Sequence, residues 1–143
     1  LAREFQQQSK PGAFYNELCD VISDTALYLC FIAFGFIQNE VLLLISFLAI
    51  LTEYAGVMAP LVGAERRYDG PMGKSDRAFW FSLLAVIIVI FPVFSSQLIY
   101  LNYLCNGLLV FMGILLGFTL YNRIKQSLTD QCDADLPHNL NNK

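Results

Sequence analysis

Gly12, Asn16, Asp20 and Asp24 recur every four residues within AREFQQQSKPGAFYNELCDVISD, the stretch from Ala2 to Asp24. On an α-helix each such step rotates by about 40°, so the four positions form one slowly turning stripe. The stripe leads into an apolar run, where an ionised carboxylate costs on the order of 3 kcal/mol unless it is paired, metal-bound or facing water. Some partner should therefore compensate Asp20 and Asp24. Oxygen ligands of this kind favour hard cations such as Mg²⁺ or Mn²⁺, and Asn16 can offer an amide oxygen but no charge.

A second stretch with chemical potential is the loop ERRYDGPMGKSDR, Glu65 to Arg77, with four cations among turn residues. Membrane topology alone can account for a basic loop. The order Gly73-Lys74-Ser75 adds something more specific. Glycine lets the backbone approach an anion, lysine supplies a point charge, and Ser75 or Asp76 is placed to cap the next helix. The segment is too short for a Walker A loop. Phospho-group transfer needs phosphate charge neutralised, an in-line geometry held and a base for the incoming hydroxyl, and divalent metals commonly serve the first two needs. The carboxylate stripe and the basic loop together suit that chemistry.

Composition dictates how these residues must be carried. The chain of 143 residues is 56% hydrophobic and 15% charged, with recurring apolar runs long enough to cross a bilayer, which excludes an ordinary soluble domain. The sequence predicts an all-α, polytopic helical membrane protein with about four spans. One transmembrane domain is expected over 1–128, followed by a polar, partly acidic cytoplasmic tail over 129–143, expected to be disordered. Cys19, Cys30, Cys105 and Cys132 form no C-x-x-C pair and read as reduced, structural thiols; His138 lies in the polar tail and reads as solvated.

The expected spans run from Ala13 to about Ile37, from Val41 to Met58, from Ala78 to Phe94 and from Ile99 to Tyr121. Pro11-Gly12 interrupts any helix before the first. Glu53 in the second must face the bundle, and two readings stand: it pairs with an arginine across a helix contact, or it supports the site from behind. Ala55, Gly56 and Ala59 beside it permit close helix approach. Phe79, Trp80 and Phe81 read as interfacial anchors of the third span. Gly113 and Gly117 form a G-x-x-x-G pair that serves either a homodimer or an internal helix contact.

Arg3 and Lys10 precede the first span, the basic loop follows the second, and Arg123, Lys125 and Lys143 follow the fourth. All cations thus fall on one side, which the positive-inside rule makes cytoplasmic. The stripe and the Lys74 loop share that face.

The register of Ala2-Arg3, Gly12 and Asp20 resembles the second part of the signature of the CDP-alcohol phosphotransferase family, Asp-x-x-Asp-Gly-x-x-Ala-Arg, eight residues, Gly, three residues, Asp, three residues, Asp. Asn16 stands where the family has its third aspartate, and the chain opens at Leu1, inside the motif, so it reads as a piece whose preceding helices are missing from a six-helix bundle. The Gly73-Lys74 segment is similar to one that family members carry near the substrate phosphates.

The resemblance implies a transferase of phospholipid biosynthesis in the inner membrane. Such an enzyme moves a phosphoalcohol, here a phosphatidyl group, from a CDP-linked lipid donor to a hydroxyl acceptor with release of CMP. It implies Asp20 as catalytic base, Asn16 and Asp20 as ligands of Mg²⁺ or Mn²⁺, Ala2, Arg3 and Gly12 at the nucleotide, and Lys74, Arg77 and Arg67 at the substrate phosphates. A homodimer is the implied assembly, and no nucleic acid is expected. The piece alone is expected to be inactive. Two other readings stand beside it: a degenerate relative kept as a scaffold, marked by Asn16, and a small transporter using Asp20, Asp24 and Glu53 as a cation or proton path.

Overall fold

A computed structural model of the chain describes residues 10–64, 70–94 and 98–134. Among these all regular secondary structure is helical, with four α-helices: α1 Lys10–Leu29, α2 Asn39–Met58, α3 Lys74–Phe94 and α4 Leu98–Ala134. Short 3₁₀ turns, Cys30–Ala33 and Ala59–Val62, extend α1 and α2.

Three of these elements, Asn39–Val62, Lys74–Val93 and Leu98–Thr129, are long and apolar enough to cross a membrane. This is a helical membrane protein. The expected crossing from Ala13 to Ile37 differs. Its α-helix stops at Leu29, and the polar first half of α1 leaves no apolar window of spanning length there.

Local signals account for the breaks. The chain leaves the first 3₁₀ turn at Phe34, in extended backbone. Pro60 opens the second turn, and Gly63 closes it at φ 81° with its N–H donated to the Pro60 carbonyl. That left-handed backbone is one glycine adopts without a Cβ penalty. Asn106 joins the far end of the bundle: its Oδ1 accepts the Gln38 N–H at 2.8 Å and its Nδ2 donates to the Phe36 carbonyl at 2.9 Å. A part-buried carbonyl and amide of the α1–α2 connection are thereby bonded by α4.

The core lies between α2 and α4, with α1 and α3 closing its sides. Leu42 and Ile45 of α2, Leu84 of α3, and Leu109, Met112 and Leu116 of α4 are fully buried. Tyr28 of α1 stacks on Phe81 of α3 at 4.0 Å between ring centroids. The buried stripe of α4 does not stop at the apolar residues. It continues at helical spacing through Thr119, Arg123 and Ser127. The helix accordingly runs on to Ala134, past Tyr121 and into the segment expected to be a disordered tail. Residues 135–143 lie outside the described part.

Large apolar side chains such as Phe47, Val89, Val93 and Tyr103 face outward, as lipid contact requires. Of the G-x-x-x-G pair, Gly113 faces the bundle: a Cβ there would sit 3.6 Å from Ile45 Cγ1, while one at Gly117 would meet nothing within 4 Å.

Candidate functional site

At the end of the bundle where α2 finishes and α3 starts, three helices meet at one carboxylate and α1 joins them through Arg77. Glu53 of α2 accepts a hydrogen bond from Arg77 Nη2 of α3 at 2.7 Å, and Arg123 Nη1 of α4 stands 3.9 Å from its other oxygen. Arg77 also donates to the hydroxyls of Tyr28 on α1, at 3.3 Å, and Thr52 on α2, at 3.4 Å. Arg123 donates to the Thr52 carbonyl. Both arginine side chains are buried. Of the two readings of Glu53, the geometry bears out pairing with an arginine.

Above this network the stripe of α1 meets the start of α3. Lys74 Nζ lies 2.6 Å from Asp20 Oδ2, with side chains 46% and 39% exposed, so solvent reaches both. Asn16, one turn earlier, donates its Nδ2 to the same Asp20 oxygen at 3.2 Å. The negative charges of Asp24 and Glu17 also act on the Lys74 ammonium. Asp20 is thus compensated as its position demands, by a lysine from the basic loop.

The fold fixes where Lys74 stands. Gly73 occupies the cap position of α3: its carbonyl accepts the Arg77 N–H, and its own N–H is held by Asp76 Oδ2 at 2.8 Å. This is one half of a capping box, with Asp76 in the expected role and Ser75 not used. Just before it, Met72 donates its N–H to Thr119 Oγ1 of α4 at 3.0 Å. Lys74 is therefore held between a helix cap and a loop pinned to α4, while Arg77, one turn on, is locked beneath.

A narrow cleft opens beside the network, lined by Asp24, Thr25, Tyr28, Ile50, Glu53 and Arg77, with about 10 Å³ of water-sized space. That is room for about one water molecule and not for a substrate.

The structure brings together Asn16, Asp20 and Lys74, and leaves Gly12 on the exposed face of α1. Ala2, Arg3 and Arg67 lie outside the described residues. Arg77 does not stand with Lys74 as a phosphate ligand. Its guanidinium points inward to Glu53 and its side chain is only 2% exposed, so the expectation of a second surface cation is corrected. For a divalent ion, Asp20 and Asn16 supply one carboxylate and one neutral amide. The carboxylate is already held by Lys74 and the amide turns its NH₂ toward Asp20. No group of three or more His, Cys, Asp or Glu side chains that could hold a metal occurs among the described residues. These side chains do not by themselves fit such an ion.

The sequence reading missed Tyr28, Thr52, Thr119 and Arg123. Arg123 follows an apolar span and so reads as a topological charge, although its spacing from Met112, Leu116 and Thr119 places it on the buried face of α4.

Over 129 residues the chain is 41% identical to "Inner membrane protein YnbA" of Escherichia coli (strain K12), an alignment covering 90% of this chain and 60% of that protein. The chain thus spans about 60% of the length of the curated relative it matches. No family model matches the sequence, and no solved structure matches it. These findings overturn the resemblance to the CDP-alcohol phosphotransferases. The relative's name speaks of a membrane location alone, and no family model supports the register of Ala2-Arg3, Gly12 and Asp20. Physically, too, that register is thin: it spans a polar entrance in which the position for one carboxylate holds Asn16, here a hydrogen-bond donor to Asp20.

Proposed function

We propose that this chain is part of an integral-membrane transferase that moves a phospho-group from a nucleotide-diphosphate-linked lipid donor to a hydroxyl acceptor. The inner membrane is the location proposed, with the site at its cytoplasmic face. The observation that carries the reading is the half-exposed Asp20–Lys74 pair at the mouth of an apolar bundle. A base and a cation side by side, where apolar helices give way to polar sequence, are what such a transfer uses.

Lys74 would hold a donor phosphate by its point charge. Asp20 would accept the proton of the acceptor hydroxyl as its oxygen bonds to phosphorus. The bond from phosphorus to the nucleotide's phosphate oxygen breaks, and the nucleotide monophosphate leaves with that electron pair. The buried Arg77, bonded both to Tyr28 of α1 and to Glu53, keeps α3 and α1 in register beneath them. A cation or proton path through Asp20, Asp24 and Glu53 fits less well, because Glu53 is held by Arg77 and Asp20 by Lys74.

The test is release of CMP from CDP-diacylglycerol by the full-length protein in mixed micelles with candidate hydroxyl acceptors. Asp20→Asn should lower turnover by about 100-fold or more, the range of a lost general base. Lys74→Gln should raise the apparent KM or lower kcat. Unchanged turnover in Asp20→Asn would remove the assignment, and a wild-type protein that folds but releases no CMP with any acceptor would favour the scaffold reading.

A further inference from the structure

The same lysine is claimed twice, once by Asp20 in the structure and once by a phosphate in the proposed chemistry, and the geometry says which claim is the weaker. Lys74 and Asp20 meet at 2.6 Å, but both side chains stay substantially in contact with solvent. A pair so exposed contributes little, on the order of a few tenths to 1 kcal/mol. By contrast, the helix carrying Lys74 is fixed by the Gly73–Asp76 cap, the Met72–Thr119 bond and the buried Arg77, none of which involves Asp20. Breaking the Asp20–Lys74 contact therefore leaves the lysine's stem where it is. An ammonium has three donors on one point charge and neutralises one adjacent anion well. Two anions sharing it repel each other.

We infer that Asp20 and a substrate phosphate compete for Lys74, so that a phosphate arriving at the ammonium displaces the Asp20 carboxylate and frees it to face the acceptor hydroxyl. The pair is then a partner-exchange switch. Its closed form masks the base and its open form arms it, with phosphate as the trigger. Asn16 supports the open form, because its Nδ2 already bonds Asp20 Oδ2 from the opposite turn and can keep the released carboxylate oriented. The inference rests on the reading that Lys74 meets a substrate phosphate.

Calorimetric titration of the full-length protein in detergent with inorganic pyrophosphate, in buffer containing EDTA, tests it. Asp20→Asn deletes the competitor and should bind pyrophosphate up to about 5-fold tighter than wild type, the factor that a contact of about 1 kcal/mol corresponds to. Asp20→Glu keeps a competitor and should bind as wild type does. Asp24→Asn removes a nearby charge that is not bonded to Lys74 and should gain less than Asp20→Asn. Lys74→Gln should lose pyrophosphate binding. Equal or weaker binding by Asp20→Asn, with binding still dependent on Lys74, would overturn the exchange while leaving Lys74 as the phosphate anchor. A gain in Asp24→Asn equal to that in Asp20→Asn would also overturn it, reducing the effect to general charge. Pyrophosphate binding indifferent to Lys74→Gln, or absent from the wild type, would overturn the underlying phosphate reading and the exchange with it.

Discussion

Gly70 is seated directly on Thr119: a Cβ added to the glycine would fall 2.5 Å from Thr119 Cγ2, and its φ is 131°. Both the space and the backbone angle exclude a side chain here. The Met72–Thr119 hydrogen bond follows two residues later, so the run into Lys74 rests on α4 through a bare backbone.

Gly70→Ala should therefore destabilise this loop by roughly 1–3 kcal/mol, the usual cost of a non-glycine residue in such a conformation. Thr119→Ala should lose the Met72 bond at a cost of about 1 kcal/mol. Because the φ angle remains, adding Thr119→Ala to Gly70→Ala should recover only part of the glycine's loss. Thermal unfolding of the detergent-solubilised variants, with hydrogen exchange at residues 70–73, measures both.

The Glu53 carboxylate lies between two buried guanidinium groups. Glu53→Ala removes the carboxylate bonded to the buried Arg77 and should cost about 3–5 kcal/mol, seen as a lowered Tm or as loss of protein from the membrane fraction. Arg77→Lys should not behave as a conservative change, since an ammonium cannot reach Tyr28, Thr52 and Glu53 at once. The Tm of Arg77→Lys should fall nearer to that of Glu53→Ala than to wild type.

Asn106→Leu removes the partner of the Gln38 amide and the Phe36 carbonyl at the opposite end of the bundle. Losing these part-buried bonds costs about 1 kcal/mol each. The expected result is a lower Tm with pyrophosphate affinity retained, because Lys74 lies at the other end of α3; loss of binding in a protein that stays folded would show that the two ends are coupled.

Glu40 begins α2, whereas Lys125 lies beyond the charge network on α4, at the opposite end of the bundle. In a cysteine-free background, Glu40→Cys should react with an impermeant thiol reagent added outside, and Lys125→Cys only after permeabilisation. The reverse pattern would invert the orientation and move Asp20 and Lys74 to the other face.

The spanning helices were legible because Val41–Met58, Ala78–Phe94 and Ile99–Tyr121 are predominantly apolar runs of spanning length, in which a few polar side chains such as Glu53 and Asn106 do not hide the pattern. The need for a partner at Asp20 and Glu53 was legible too, since a membrane makes lone carboxylates costly. Which partner each would take was not. Lys74, Arg77 and Arg123 are all cations next to apolar runs, and only the packing of four helices shows that the first stays at the surface while the other two turn inward. The end of α4 was misplaced for a related reason: hydropathy falls at Asn122, but the buried face continues through Arg123 and Ser127, whose polar groups are satisfied inside.

The meeting of α2, α3 and α4 at Glu53 also sets an order of events during biosynthesis. Glu53 leaves the ribosome 24 residues before Arg77, and Arg123 follows only after all of α3 and most of α4. At about 5–20 residues per second, α2 waits more than a second for its first counter-ion and several seconds for its second. During that interval an acidic side chain near the end of an apolar helix must stay at the lipid boundary or in the insertion machinery, since burying it alone is unfavourable. Burial of Glu53 against a guanidinium thus requires that the start of α3 has been made, since Arg77 comes from it.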